Sequence, residues 1–116
     1  MKPFEPEQPL SVAVVGVGEM GRNHARCLAS MKGVNLVAVV DSDEDRCHEV
    51  AATFECQPLT VLSDLSNVDA AIVAVPSALH ADVGCALMER GFHCLIEKPL
   101  ALDRRQAELL VDAADS

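Results

Sequence analysis

Gly16-Val17-Gly18-Glu19-Met20-Gly21 is a G-x-G-x-x-G run, and its setting gives it chemical meaning. An apolar, β-branched stretch, Ser11–Val17, leads into it, and a helical pattern from Glu19 to about Lys32 leads out. In that strand–turn–helix context Gly16 allows a tight turn. Gly18 puts no side chain in the path of a pyrophosphate, and Gly21 lets the helix pack close to the sheet. Backbone amides near Glu19 and Met20, at the helix start, can then bind phosphate oxygens with help from the helix dipole. The plain alternative is a glycine-rich turn without a ligand. Asp41 stands 25 positions after Gly16, at the end of a second apolar run, Val34–Val40. A carboxylate there accepts hydrogen bonds from the adenosine ribose hydroxyls and repels a 2′-phosphate. Neither Ser42 nor Asp43 is cationic, and Arg46 reads as too far along the next helix, so the expected cofactor is NAD rather than NADP.

The elements that must position these groups follow from periodicity. In the first helix Ala25, Leu28 and Met31 space as one buried face, with Met20 or Gly21 before them, and Gly33 sits where a closing glycine belongs. Ser42 or Asp43 caps a second helix that runs to about Phe54, its acidic first turn suited to the positive helix end. Pro58 breaks the chain, and a short third strand is expected at Leu59–Leu62. Ser63–Asn67 is too short for a full helix, so that crossover reads as trimmed. Ala70–Val75 is a fourth strand stopped by Pro76, followed by a helix from about Ala78 to Arg90 that Gly91 closes. Phe92–Ile96 is a fifth strand. Asp103 with Gln106 forms a capping-box pattern for a last helix to about Asp115, with apolar Ala107, Leu110, Val111 and Ala114. Strands alternating with helices imply parallel pairing and right-handed crossovers. The fold class is therefore α/β, a doubly wound parallel sheet of order 3-2-1-4-5.

Composition bounds the rest. The 116 residues suffice for one domain, read as residues 11–116 behind a loose, proline-bearing tail at 1–10. Lys and Arg number 9 against 18 Asp and Glu, a net charge of −9, which argues against nucleic acid as a partner. An anionic ligand must be held locally, by backbone amides or a helix end. The chain has no apolar run of about 18 residues, so no membrane span is expected. Cys27, Cys47, Cys56, Cys85 and Cys94 are odd in number and irregular in spacing, with no C-x-x-C pair. They read as free thiols of a cytoplasmic protein, with no metal site.

Four segments together resemble the Gfo/Idh/MocA oxidoreductases, named for glucose-fructose oxidoreductase and inositol dehydrogenase. They are GVGEMGRNHARCL (16–28), VAVVD (37–41), VDAAIVAVPSALHADV (68–83) and GFHCLIEKPLAL (91–102). The pairing of VPSxLH with EKPLA is far more specific than the glycine motif. The resemblance implies the N-terminal NAD(P)-binding Rossmann domain of such an enzyme. It places Lys98 by the nicotinamide and the substrate hydroxyl, where a cation stabilises developing alkoxide charge. It further implies a cis Lys98–Pro99 bond, a Glu97 contact to the nicotinamide ribose, and passage of Val75-Pro76-Ser77 along the cofactor. Ser77 either donates to the cofactor or caps the following helix. His80 either borders the cofactor pocket or is a packing histidine. His24 is read as a structural contact behind the phosphate loop, and Arg22 as a solvated helix residue.

In the family a second α/β domain supplies the substrate pocket, further catalytic Asp and His residues and the oligomer interface. None of these falls within the 116 residues, nor does a sixth strand. The chain is thus expected to be a fragment or a stand-alone cofactor domain, inactive alone and prone to homo-oligomerise. The implied reaction oxidises a secondary hydroxyl of a sugar, polyol or nucleotide sugar by hydride transfer. The run MGRNHAR resembles relatives that oxidise UDP-N-acetylglucosamine at C3. Two alternatives stand beside it: an imine or bile-pigment reductase of the same family, and a non-catalytic dinucleotide sensor or scaffold.

Overall fold

A computed structural model describes residues 8–116 of the chain. Five strands and four helices follow one another, alternating except between β3 and β4: β1 (Leu10–Val15), α1 (Glu19–Ala29), β2 (Val34–Val40), α2 (Glu44–Phe54), β3 (Gln57–Leu59), β4 (Ala70–Val73), α3 (His80–Glu89), β5 (His93–Ile96) and α4 (Arg104–Asp115). The strands form one sheet of order β3-β2-β1-β4-β5. Each described pairing is parallel. This is the expected doubly wound architecture. Most of the 1–10 tail lies outside the described residues, and Leu10 already belongs to β1.

Side-chain alternation divides the core between the two sheet faces. Val12, Val14, Val39 and Ile72 pack with Ala25 and Leu28 of α1 and with Cys47, Val50 and Ala51 of α2. Their neighbours Ala13, Val15, Ala38, Val40, Ala71 and Val73 face the other way, against Leu65, Leu87 and Phe92. Because every central strand is covered on both sides, its sequence is apolar at successive positions rather than at alternate ones.

Several boundaries shift. β1 stops at Val15 rather than Val17, because Gly16 turns the chain with φ 89°. β4 stops at Val73, two residues before the expected Val75. α1 ends at Ala29, where the Ser30 hydroxyl donates to the Cys27 carbonyl at 3.0 Å. Met31 therefore lies beyond the helix and is exposed, as is Met20; the buried face is Gly21, Ala25 and Leu28. β3 forms at Gln57–Leu59 instead of Leu59–Leu62. Pro58 is tolerated inside it because β3 is an edge strand, pairing with β2 on one side only, and the missing amide can face outward. The short crossover is a 3₁₀ turn at Leu62–Asp64, and a second 3₁₀ turn at Ser77–Leu79 precedes α3. Of the four apolar positions expected on the inner face of α4, Leu110 alone is fully buried.

The caps are legible. The Asp43 carboxylate accepts from the Arg46 amide at 3.1 Å at the start of α2. The Asp103 carboxylate accepts from the Gln106 amide at 2.9 Å, while the Gln106 side chain accepts from the Leu102 amide at 3.2 Å. Among the described residues no helix is long and apolar enough to cross a membrane.

Candidate functional site

The carboxyl ends of β1, β2 and β4 open onto a cleft of about 610 Å³, within the range of small-molecule sites. The glycine loop forms its floor. Gly16 needs its glycine twice over: φ is +89°, and a Cβ would lie 2.7 Å from the Val75 amide nitrogen. At Gly21 a Cβ would lie 1.7 Å from the Gly16 carbonyl oxygen, so this glycine sets how closely α1 approaches the turn. Gly18 differs, since a Cβ there would meet nothing within 4 Å. It stands at the N-cap of α1, where no side chain caps the helix. The first-turn amides are thus left available to a ligand, beside Glu19 and Met20 on the cleft wall.

Asp41 lines the cleft at the end of β2 and is 7% exposed. Its Oδ2 accepts from the Val17 amide at 2.9 Å and its Oδ1 from the Asp43 amide at 2.9 Å. The carboxylate therefore ties the glycine loop to the β2–α2 turn. Arg46 closes on it as a fork, with Nε donating to Oδ2 at 3.1 Å and Nη2 to Oδ1 at 3.0 Å. Burial alone would raise the Asp41 carboxyl. The Arg46 hydrogen bonds, the two amides and the nearby guanidinium charge outweigh it and hold the carboxyl below its ordinary value. The expectation that Arg46 lies too far away is overturned. It occupies the first turn of α2, and helical side chains lean toward the N-terminus, which carries the guanidinium back over the strand end.

Val75 and Pro76 line the cleft where the chain leaves β4. Ser77 opens the 3₁₀ turn and is not a lining residue; the N-cap of α3 is Leu79, without a side-chain cap. His80 is 1% exposed and lies behind the wall. Its Nε2 is 2.9 Å from the Val75 carbonyl and its Nδ1 2.8 Å from the Pro99 carbonyl. The ring thus bridges the segment leaving β4 and the segment leaving β5. Gly21, Glu97 and Lys98 likewise stand outside the cleft lining.

Glu97 and Lys98 follow β5 at the same sheet end. The Glu97 amide donates to the Val73 carbonyl at 3.0 Å, and its carboxylate pairs with the His24 Nε2 on α1. His24 therefore reaches across to the end of β5, a longer-range link than a contact behind the loop. Lys98 is exposed, and the Lys98–Pro99 bond is cis. Arg22 pairs with Glu49 at 3.0 Å on the exposed side of α1. Sequence reasoning missed Thr60, Leu62, Leu79 and Val83, which complete the cleft from the trimmed crossover and the start of α3. Among the described residues no cluster of side chains could hold a metal ion. Burial pushes the Cys56 and Cys94 thiols up to about 11, which leaves them protonated and unreactive near neutral pH.

The arrangement offers amide donors at the start of α1, a carboxylate at the end of β2 and apolar walls beside them. A family model described as an oxidoreductase family with an NAD-binding Rossmann fold matches residues 10–116. The chain is 38% identical over 106 residues to UDP-N-acetylglucosamine 3-dehydrogenase of Acidithiobacillus ferrooxidans, covering 90% of this chain and 33% of that protein. It is 41% identical over 110 residues to inositol 2-dehydrogenase 4 of Saccharopolyspora erythraea, covering 90% and 32%. The crystal structure of the WlbA dehydrogenase from Bordetella pertussis, in complex with NADH and UDP-GlcNAcA, superposes with a TM-score of 0.89 at 28% identity, over 93% of this chain and 35% of that one. The chain thus spans about a third of the length of the relatives it matches. From the glycine loop to the EKP segment, it belongs to the Gfo/Idh/MocA oxidoreductase family and has that family's NAD-binding Rossmann fold.

Proposed function

We propose that this domain holds NAD for an enzyme that oxidises a secondary hydroxyl of a sugar, polyol or nucleotide sugar to a ketone. The observation that carries the reading is Gly18. It is an uncapped helix start whose missing side chain leaves open space on the cleft side, which is what close approach of a pyrophosphate requires. Gly16, Glu19, Met20 and Gly21 build the same cradle, Val75 and Pro76 form the wall along the cofactor with His80 supporting it from behind, and Ser77 follows them beside the cofactor. Asp41 takes the adenosine ribose hydroxyls, which favours NAD over NADP.

When bound, the dinucleotide supplies the hydride acceptor. The carbinol hydrogen would pass with its electron pair to the bound dinucleotide and the hydroxyl proton to solvent water, which leaves the ketone. Lys98, at the carboxyl end of β5, donates a hydrogen bond to the substrate oxygen and stabilises its growing negative charge. Glu97, braced by His24, sits by the nicotinamide ribose and keeps that strand end in place. The named substrates of the relatives, a nucleotide sugar and an inositol, support the substrate class. The free cysteines suit a reducing cytoplasm. Exposed Leu95, Leu102 and Val111 support association with a second copy.

Calorimetric titration with NAD and NADP tests the cofactor site. Gly18→Val is expected to fold, since the added carbon atoms enter open space, and to lose NAD binding. Asp41→Ala is expected to narrow the gap between the two cofactors. Normal NAD affinity in folded Gly18→Val would overturn the assignment.

A further inference from the structure

We propose that Arg46 is a displaceable cap on Asp41 that sets the balance between NAD and NADP, a role that rests on the dinucleotide reading of the cleft. A carboxylate offers about four acceptor positions, and in this structure all of those on Asp41 are taken. Two belong to the Val17 and Asp43 amides, fixed by the glycine loop and by the start of α2. The other two belong to Arg46. The ribose diol of NAD can therefore reach the carboxylate only where the guanidinium gives way. The Arg46 side chain is free to do so, being 45% exposed against 5% for that of Asp41.

The same fork changes what a 2′-phosphate meets. An uncapped Asp41 repels it. A capped Asp41 is neutralised, and the guanidinium has three further N–H groups beyond the two it spends on the carboxylate. Among the described residues Arg46 is the one Lys or Arg lining the cleft. It thus competes with the diol of NAD and supplies the counter-charge for the phosphate of NADP. Its removal moves the two affinities in opposite directions, which neither a passive wall residue nor a direct contact to the shared ADP moiety does.

The test is calorimetric titration of the full chain with NAD and NADP, in the parent, Arg46→Ala and Arg46→Lys, with circular dichroism to confirm folding. The fork is half-exposed on its Arg46 side, so Arg46→Ala is expected to bind NAD about 3- to 10-fold more tightly. Its NADP affinity is expected to fall by about tenfold. Arg46→Lys keeps the charge without the fork. It is expected to gain toward NAD while staying within about threefold of the parent toward NADP. Weaker NAD binding in Arg46→Ala would overturn the proposal and make Arg46 a direct support of the dinucleotide. Equal shifts in the same direction for both cofactors, or no shift, would overturn it too. Failure of the underlying reading looks different: the parent binds neither cofactor, and Gly18→Val changes nothing.

Discussion

Lys98 and Asp41 follow strands on opposite sides of β1 at the sheet's carboxyl edge and are asked to do opposite things. Asp41 is buried, held by four donors and depressed in pKa, a group built to stay ionised and in place. Lys98 is exposed and follows a strand end that His24 and the Val73 carbonyl brace through Glu97. Such a cation adds little to folding. If its work is to stabilise charge that develops during the reaction, its loss must appear in turnover rather than in cofactor affinity. In the active enzyme Lys98→Met is expected to depress kcat by about 10²- to 10³-fold, the range found for losing one oxyanion donor. The NAD dissociation constant is expected to stay within a factor of about two, since no ground-state contact to the pyrophosphate is lost. Steady-state kinetics on a panel of inositols and nucleotide sugars, with NAD titration alongside, checks this. Equal loss in kcat and in NAD affinity would make Lys98 part of the cofactor's binding site alone.

The elements show why two glycines in similar helical settings have different meanings. At Gly21 an added Cβ meets a backbone carbonyl, part of the tight turn that the β1–α1 junction depends on. At Gly84 on α3 an added Cβ would lie 2.6 Å from the Leu110 Cδ2 and 2.9 Å from the Ile96 Cδ1, both tips of side chains that can rotate. Gly21→Ala is therefore expected to lower stability by about 3 kcal/mol through overpacking against a rigid neighbour. Gly84→Ala is expected to be nearly neutral, because about 1 kcal/mol of gained helix propensity offsets the repacking. Denaturant unfolding of the two variants measures the difference; comparable stabilities would mean that the loop yields as easily as a leucine tip. Gly21 was legible in the sequence because its motif has a known mechanical meaning. Gly84 was not, because its constraint comes from α4 and β5, elements distant in sequence. The same distinction runs through the site. The type and place of Asp41 could be read from the end of an apolar run. Its partner Arg46 could not, since spacing along α2 says nothing of a side chain that leans back across the turn. His80 was visible as part of VPSxLH, but its full burial between two loops depends on where the EKP segment folds. β3 lies earlier than the sequence predicts because Pro58 reads as a break, whereas an edge strand accommodates it.

At the scale of the whole molecule an acidic protein must attract and keep an acidic coenzyme. The chain carries a net charge of −9, so its long-range field opposes the approach of a dinucleotide. The attraction is confined to the uncapped start of α1 and acts over a few ångströms. Salt separates these two ranges. Between about 0.01 and 0.15 M ionic strength the Debye length shrinks from about 30 to about 8 Å, which screens the distant repulsion and leaves contact hydrogen bonds nearly intact. The association rate for NADH is therefore expected to rise by about two- to threefold over that range, while the dissociation rate changes little. The chain has no Trp and no Tyr, so stopped-flow NADH fluorescence reads binding against a dark protein background. A severalfold fall in association rate with added salt would mean that cations steer the coenzyme from afar. In that case the backbone cradle around Gly18 would no longer suffice to explain how this acidic surface captures its ligand.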